Sequence, residues 1–486
     1  MKNSNKSQKR KMGLFAATAL VVGNMIGSGI FMLPTTLANA AGPGATLIAW
    51  LITGIGSVFI ALSFAHLGRI IPKTGGPYEY SKEAFGEFIG FANAWLYWIG
   101  SVIGNAAVII AIGSYFSGIF PTISNNHLVG FLFCSAVLWG LTFINVRGVR
   151  LTGNIASVIT VFKLSVLLIF IAVAGVHFDL TNITPMFPKG EGVKTLSAAA
   201  TVTLWGFIGL ESSSIAAGDI ENPKENVAKS TIFGILLACL FYLALSFFAM
   251  GAMPQSEIAK STAPISDILT QYFGKGIINF INISIVISII GTAIGWIFSS
   301  ARIAYAAGED GIFPKIFSVT HEKYGTPYKA LILSSVITNL VLILNFSNGF
   351  VGALNIITLI ATAAYLPIYA ITIMSDLVIM RRQKILTKKH IIKKSIVPIM
   401  GIIYVAWAIY GSGLQTVFYV VLLVIFGTPI YVYLKVSVKV LAPLIYLKIV
   451  LKYPSKAKVG FTRINLFLIF NFHIFRNLIR PRHKIL

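Results

Sequence analysis

The amino-acid sequence predicts an all-α protein that crosses a membrane with about twelve helices, and three observations carry that prediction. Only 11% of the 486 residues are charged and 56% are hydrophobic, where a soluble domain carries about 25% charged residues. Apolar stretches of about 20 residues, each long enough to cross about 30 Å of hydrocarbon, recur from Gly13 to Val436. The basic residues collect in alternate loops, as expected when an even number of spans leaves both ends of the chain on one side. Together these exclude a soluble globular enzyme.

The first stretch, 14–40, follows a basic segment, Lys2 to Lys11. It is too long for a signal peptide and lacks a small-residue cleavage site, so it reads as a retained span. Further spans fall at 44–68, 87–119, 128–146, 154–177, 196–218, 229–253, 276–306, 328–346, 351–379, 396–413 and 415–436. With the N-terminus in the cytoplasm, the inside segments also hold Arg69, Lys73, Lys82, Arg147, Arg150, Lys224, Lys229, Arg302, Lys315, Lys323, Lys329 and the run Arg381 to Lys394. The outside loops hold only Lys189, Lys194, Lys260 and Lys275. The expectation is a multi-pass protein of the cell (cytoplasmic) membrane with both termini cytoplasmic. The net charge of +24 is then a topology signal, and no nucleic acid is called for.

Two spans are interrupted at mid-membrane. The first carries Gly23, Gly27 and Gly29 within seven residues, where each glycine weakens a helix by about 1 kcal/mol. The sixth carries Gly206, Gly209, Glu211 and a serine cluster at similar depth. They lie five spans apart, the spacing of two inverted five-helix repeats that each open with a broken helix. The organisation predicted is a basic N-terminus at 1–12, a first repeat at 13–177, an inverted second repeat at 196–379, two further helices at 396–436 and a basic tail at 437–486. For the first span alone, a GxxxG packing face through Gly23 and Gly27 is the alternative. The tail reads either as an interfacial amphipathic segment or as a non-homologous extension, and no role is assigned to it.

A broken helix in lipid exposes N–H and C=O groups that only a cavity or a ligand can satisfy. Gly27, Ser28, Gly29 and Ile30 are placed to aim N–H donors and the positive end of a helix dipole at a carboxylate. Carbonyls around Met25 and Ile26, and from Trp205 to Ile208, are placed to accept from an ammonium. A zwitterion of the α-amino acid type fits both ends. Glu211 and Lys163 are the ionisable residues that lie deepest in the spans, and their expense there points to ion or proton coupling, with a helix-to-helix hydrogen-bond anchor as the plainer alternative. Cys134 and Cys239 sit inside apolar stretches and the seven histidines are scattered, so no disulfide framework, metal site, cofactor or catalytic group is expected.

Four stretches, GNMIGSGIFMLP, GGPYEYSKEAFGEFIGF, TLWGFIGLESSSIAAGDIENPKENV and ARIAYAAGEDGIFPKIF, resemble the amino acid–polyamine–organocation (APC) superfamily over about residues 10–436. The likeness is greatest to its basic amino acid/polyamine antiporters, which include arginine/agmatine, arginine/ornithine and putrescine/ornithine exchangers. That resemblance implies a LeuT-like five-plus-five inverted repeat with two further helices and alternating access around a midplane site. It places the substrate carboxylate on the backbone of Gly27, Ser28 and Gly29, with Trp205 stacked on the substrate and Trp296 gating its side chain. It makes Tyr97 a gating tyrosine, Asn105 a polar contact to the substrate side chain, and Glu211 the carboxylate linked to proton sensing. Lys163 resembles the lysine of proton-coupled members that stands where sodium binds in sodium-dependent relatives. Around Asn105 the side-chain pocket reads Gly100, Ser101 and Val108, smaller or more polar than the resemblance leads one to expect for arginine.

The sequence is thus read as a secondary active transporter, an antiporter exchanging cationic amino acids or their amine products. A proton-coupled symporter of neutral amino acids is the same-class alternative. A channel lacks its continuous polar stripe and a membrane enzyme its catalytic constellation. The expected partners are an amino acid or amine substrate and the lipid bilayer, with protons and a second copy of the chain left open.

Overall fold

The computed structural model describes residues 11–31, 33–188, 193–261, 263–346, 351–385 and 391–452. The predicted basic segment before Lys11 and the tail beyond residue 452 lie outside them. The described chain is helical apart from turns and one isolated bridge between Met12 and Ile220. Its helices are α1 Leu14–Met25, α2 Leu33–Ala40, α3 Pro43–Ile70, α4 Pro77–Phe85, α5 Glu87–Ser117, α6 Thr122–Asn125, α7 His127–Val146, α8 Val149–Val176 and α9 Val193–Trp205. There follow α10 Ser212–Ile215, α11 Pro223–Ala252, α12 Gln255–Ile258, α13 Pro264–Phe273, α14 Ile278–Glu309, α15 Tyr328–Phe346, α16 Val351–Arg382, α17 Ile391–Ser412 and α18 Leu414–Lys452. Residues up to Pro429 form one compact unit and those from Ile430 a second.

Among the described residues nine helices are long and apolar enough to cross a bilayer alone, namely α3, α5, α7, α8, α11, α14, α16, α17 and α18. The shorter apolar α15 adds a tenth. The remaining two predicted spans are the interrupted ones, α1 with α2 and α9 with α10. The chain is therefore an all-α polytopic membrane protein of about twelve spans. Local chemistry sets the element starts: proline opens α3, α4 and α11 at the first helical turn, where a missing N–H costs nothing, and Asn126 caps α7 by accepting from Leu128 and Val129. The last predicted span, 415–436, agrees with the apolar stretch of α18, Val417–Lys435, and the helix itself is assigned to Lys452.

Burial separates the centre from the lipid face. In α14, 78% of the apolar stretch is buried, against 6% in α18, so α14 is the helix around which α1, α5 and α8 pack. Below the breaks, on the N-terminal side, the structure is closed. Met12, Leu20, Ala216, Ile220, Val227 and Phe298 form a buried cluster, the backbone of Met12 bonds to Asp219 and Glu221, and Arg302 pairs with Asp219 at 3.0 Å. On the same side Asp310, just past α14, accepts from Tyr78 at 2.6 Å and forms an ion pair with Lys82, both on α4.

Candidate functional site

α1 stops at Met25. Ile26 still donates back to Val22 at 2.8 Å, Gly27 folds back to the Met25 carbonyl at 2.8 Å, and a 3-10 turn then runs over Ser28–Phe31 before α2. A 3-10 turn pairs each N–H with the carbonyl three residues back, so the N–H groups of Ser28 and Gly29 at its head have no acceptor inside it. Of the four predicted donors, Gly27 is therefore already engaged by its own chain. The carbonyls released by the break are met from other helices. The Lys163 Nζ on α8 donates to Gly23 O at 3.1 Å, Ile26 O at 2.5 Å and Thr292 Oγ1 at 2.7 Å, and the single hydroxyl proton of Thr292 on α14 serves one of the same two carbonyls at a time, at 2.9 and 3.3 Å. Trp296 Nε1 donates to Asn24 O at 3.1 Å. Lys163 is fully buried and no carboxylate pairs with it among the described residues.

The second break keeps its bonds local. After Trp205 the chain makes successive turns, with Gly206 donating to Thr203, Phe207 to Leu204, Ile208 to Trp205 and Leu210 to Phe207. Gly209 sits at φ +115°, a conformation that L side chains rarely adopt; a Cβ there would also lie 3.0 Å from Asn24. Glu211 closes the turn, its Oε2 accepting from Gly209 N at 3.2 Å and from the Tyr369 hydroxyl of α16 at 2.8 Å. The other carboxylate oxygen is buried without a hydrogen-bond partner among the described residues.

Two side chains tie the breaks together. The Tyr242 hydroxyl on α11 lies 2.7 Å from Met25 O and 2.6 Å from Gly206 O; it has one proton and so serves one carbonyl at a time. Its ring is stacked on Trp50 at 4.8 Å and edge-on to Phe207 at 5.4 Å. Asn24 donates through Nδ2 to Ser212 Oγ at 2.7 Å and lies so close to α14 that a Cβ on Gly295 would fall 1.9 Å from its Oδ1.

Between the breaks lies a cavity with about 580 Å³ of empty space, its open mouth included. Its wall takes in Met25, Gly27, Gly29, Trp205, Ile208, Trp296 and Ser101 of the predicted residues. It also takes in Asn24, Tyr242, Thr292 and Tyr365, which the sequence reading missed. Ile26 is buried at the break without lining it, and of Ser28 only the backbone is described. Tyr97, Asn105, Glu211 and Lys163 are buried just behind the wall. Tyr97 packs on Trp296 at 6.4 Å between ring centroids and on Tyr365 at 5.4 Å, and Tyr365 shares a 2.8 Å hydrogen bond with Ser101. Asn105 Oδ1 is buried without a hydrogen-bond partner among the described residues. The missed residues are a tyrosine, a threonine or an asparagine inside apolar helices; only the asparagine, within the glycine cluster, had a sequence signal. Among the described residues no charged side chain lines the cavity, and no donor reaches the Ile208 carbonyl.

Residues 12–450 match the family model described as amino acid permease. The chain is 32% identical over 453 residues to an arginine/agmatine antiporter of Chlamydia pneumoniae, covering 89% of this chain and 91% of that protein. A protein of the same name from Chlamydia felis (strain Fe/C-56) is 32% identical over 451 residues, covering 88% and 91%. One from Chlamydia trachomatis serovar D is 32% identical over 438 residues, covering 87% and 89%.

Proposed function

The chain belongs to the amino acid permease family, and we propose that it is a secondary active antiporter that exchanges cationic amino acids for their amine products by alternating access. What supports this reading is that one cavity is lined by Gly29, whose N–H has no acceptor inside its 3-10 turn and suits a carboxylate, by Ile208, whose carbonyl suits an ammonium, and by the indoles of Trp205 and Trp296. An aromatic wall without carboxylates holds a cationic head through ring faces, and the orphaned Asn105 oxygen behind it is an acceptor for the same head. The printed names of the relatives favour exchange over symport.

On this reading the breaks open two inverted repeats, 13–177 and 196–379, with the N-terminus cytoplasmic and the packed side facing the cytoplasm, so that the cavity faces outward. Lys163 stands in for a bound cation, bracing α1, α8 and α14. Glu211, held by Tyr369 of α16, couples proton uptake to movement of the second break. Counterflow in proteoliposomes tests the proposal: labelled arginine should accumulate against internal agmatine or arginine, and not in empty vesicles. Accumulation of neutral amino acids alone, or uptake that needs no internal solute, overturns it.

A further inference from the structure

Five glycines, Gly27, Gly29, Gly100, Gly104 and Gly206, line the cavity, and four of them are explained by what touches them. A Cβ on Gly27 would lie 3.2 Å from Thr292 Cγ2, on Gly29 2.9 Å from Trp205 Nε1, on Gly100 3.1 Å from Ala364 Cβ, and on Gly206 3.2 Å from Trp50. Gly104 differs. It sits inside α5, where glycine costs about 1 kcal/mol relative to alanine, its φ is not positive, and, its own turn of helix backbone and chain neighbours aside, no described atom lies within 4 Å of a Cβ placed there. The other glycines with such free surroundings either take a positive φ, as Gly86, Gly148, Gly274, Gly311 and Gly413 do, or are exposed, as Gly140 and Gly276 are. Neither backbone conformation nor packing explains a glycine at 104, which leaves the volume it opens in the cavity.

We propose that Gly104 is a specificity-determining residue whose missing side chain sets how long a substrate side chain the site accepts. The inference rests on the reading above that this cavity holds the substrate. With the carboxylate at Ser28 and Gly29, the substrate side chain heads for the face of α5 that carries Gly100, Gly104 and Val108, opposite Ala361 and Tyr365 of α16. Gly104 stands one turn from each of its two α5 neighbours, where a long chain ends and a short one does not reach.

The test is counterflow kinetics in proteoliposomes with a graded cationic series, 2,3-diaminopropionate, ornithine and arginine, on wild type, Gly104→Ala and Gly104→Val. A misplaced methylene in a pocket is worth about 10–200-fold. Gly104→Val should lower kcat/KM for arginine by a factor in that range, ornithine less, and leave 2,3-diaminopropionate within about threefold; Gly104→Ala should fall between. Melting temperatures should be no lower than wild type, because the added carbons enter open space and the helix loses a glycine. Gly100→Ala, which meets Ala364, should instead weaken all three substrates and the fold. Equal loss across the series, or arginine transport untouched by Gly104→Val, overturns the inference. If Gly104→Val fails to fold, the arginine-to-diaminopropionate ratio in Gly104→Ala decides. If wild type exchanges only neutral amino acids, the cationic reading falls while the Gly104 inference is decided on alanine against phenylalanine; a wild type that exchanges none of them overturns both.

Discussion

The two helix breaks face the same problem and solve it differently. A membrane helix that is interrupted must find partners for its freed backbone groups. The first break borrows them: Lys163 and Thr292 hold the carbonyls of Gly23 and Ile26, and Trp296 holds that of Asn24. The second relies more on itself, through consecutive turns from Thr203 to Ser212 closed by the Glu211 carboxylate, with Tyr242, Tyr369 and Asn24 each adding one bond from another helix. A break anchored in neighbouring helices moves only if they move with it, whereas one held mainly by its own turns can rearrange locally. The contrast predicts a first break that stays fixed during exchange and a second that moves.

Three variants test that contrast, and a fourth tests the packed side. The largest effect is expected from Lys163→Met, which withdraws the donor shared by two carbonyls and a hydroxyl. Hydrogen bonds to a charged group are worth about 1.5–3 kcal/mol each, so exchange should fall by about a hundredfold or more while surface abundance holds, and wild-type exchange should be the same with and without sodium. Full activity in this variant would remove the anchor from the argument. Glu211→Gln should slow exchange about tenfold and flatten its dependence on pH, measured as initial rates across a pH series, with substrate affinity largely kept; a wild-type pH profile would mean that the second break moves without its carboxylate. Tyr242→Phe removes the hydroxyl that touches both breaks and should weaken binding about three- to tenfold for about 1 kcal/mol, checked by isothermal titration in detergent. If it is as damaging as Lys163→Met, the breaks act as one unit and the contrast fails.

The smallest effect concerns the packed side. Burial pushes the Glu79 carboxyl of α4 up to about 7, with Asp310 raising it further and Lys82 and Lys73 opposing. For an acid raised above its ordinary 4.5, the packed arrangement carries no penalty from this group in acid. It loses stability as pH climbs from about 4.5 to about 7. Tyr78, which donates to Asp310, and the Lys82 ion pair face the same spot. Glu79→Gln should remove a two- to threefold change in exchange rate between about pH 5 and 7.5, read as the ratio of initial rates; an unchanged ratio would show that the end stays packed at either pH.

Sequence carried the positions of both breaks, because glycine clusters in the middle of an apolar span are costly without a purpose. It also singled out Lys163 and Glu211, whose charge in lipid needs a reason. It did not carry Tyr242, Tyr365, Tyr369 or Thr292. A hydroxyl that bonds to a carbonyl on another helix leaves no spacing in its own helix, and each of these reads as ordinary packing until the helices are assembled. Tyr97 and Asn105 came from resemblance, and their places behind the cavity wall depend on how α5 turns against α14 and α16.

A lysine cannot dissociate. The ammonium that bridges the carbonyls of the first break is part of the chain and cannot travel with the cargo. In the proposed exchange the electrical work of one turnover is then set by the cargoes and by any proton that moves with them, each net charge carrying about 2.3 kcal/mol per 100 mV. A monocation entering as a dication leaves would move one charge per cycle against or along the membrane voltage. Currents recorded from vesicles on a supported membrane count that charge directly, and they tell a cell running such a carrier whether it spends or builds its own voltage.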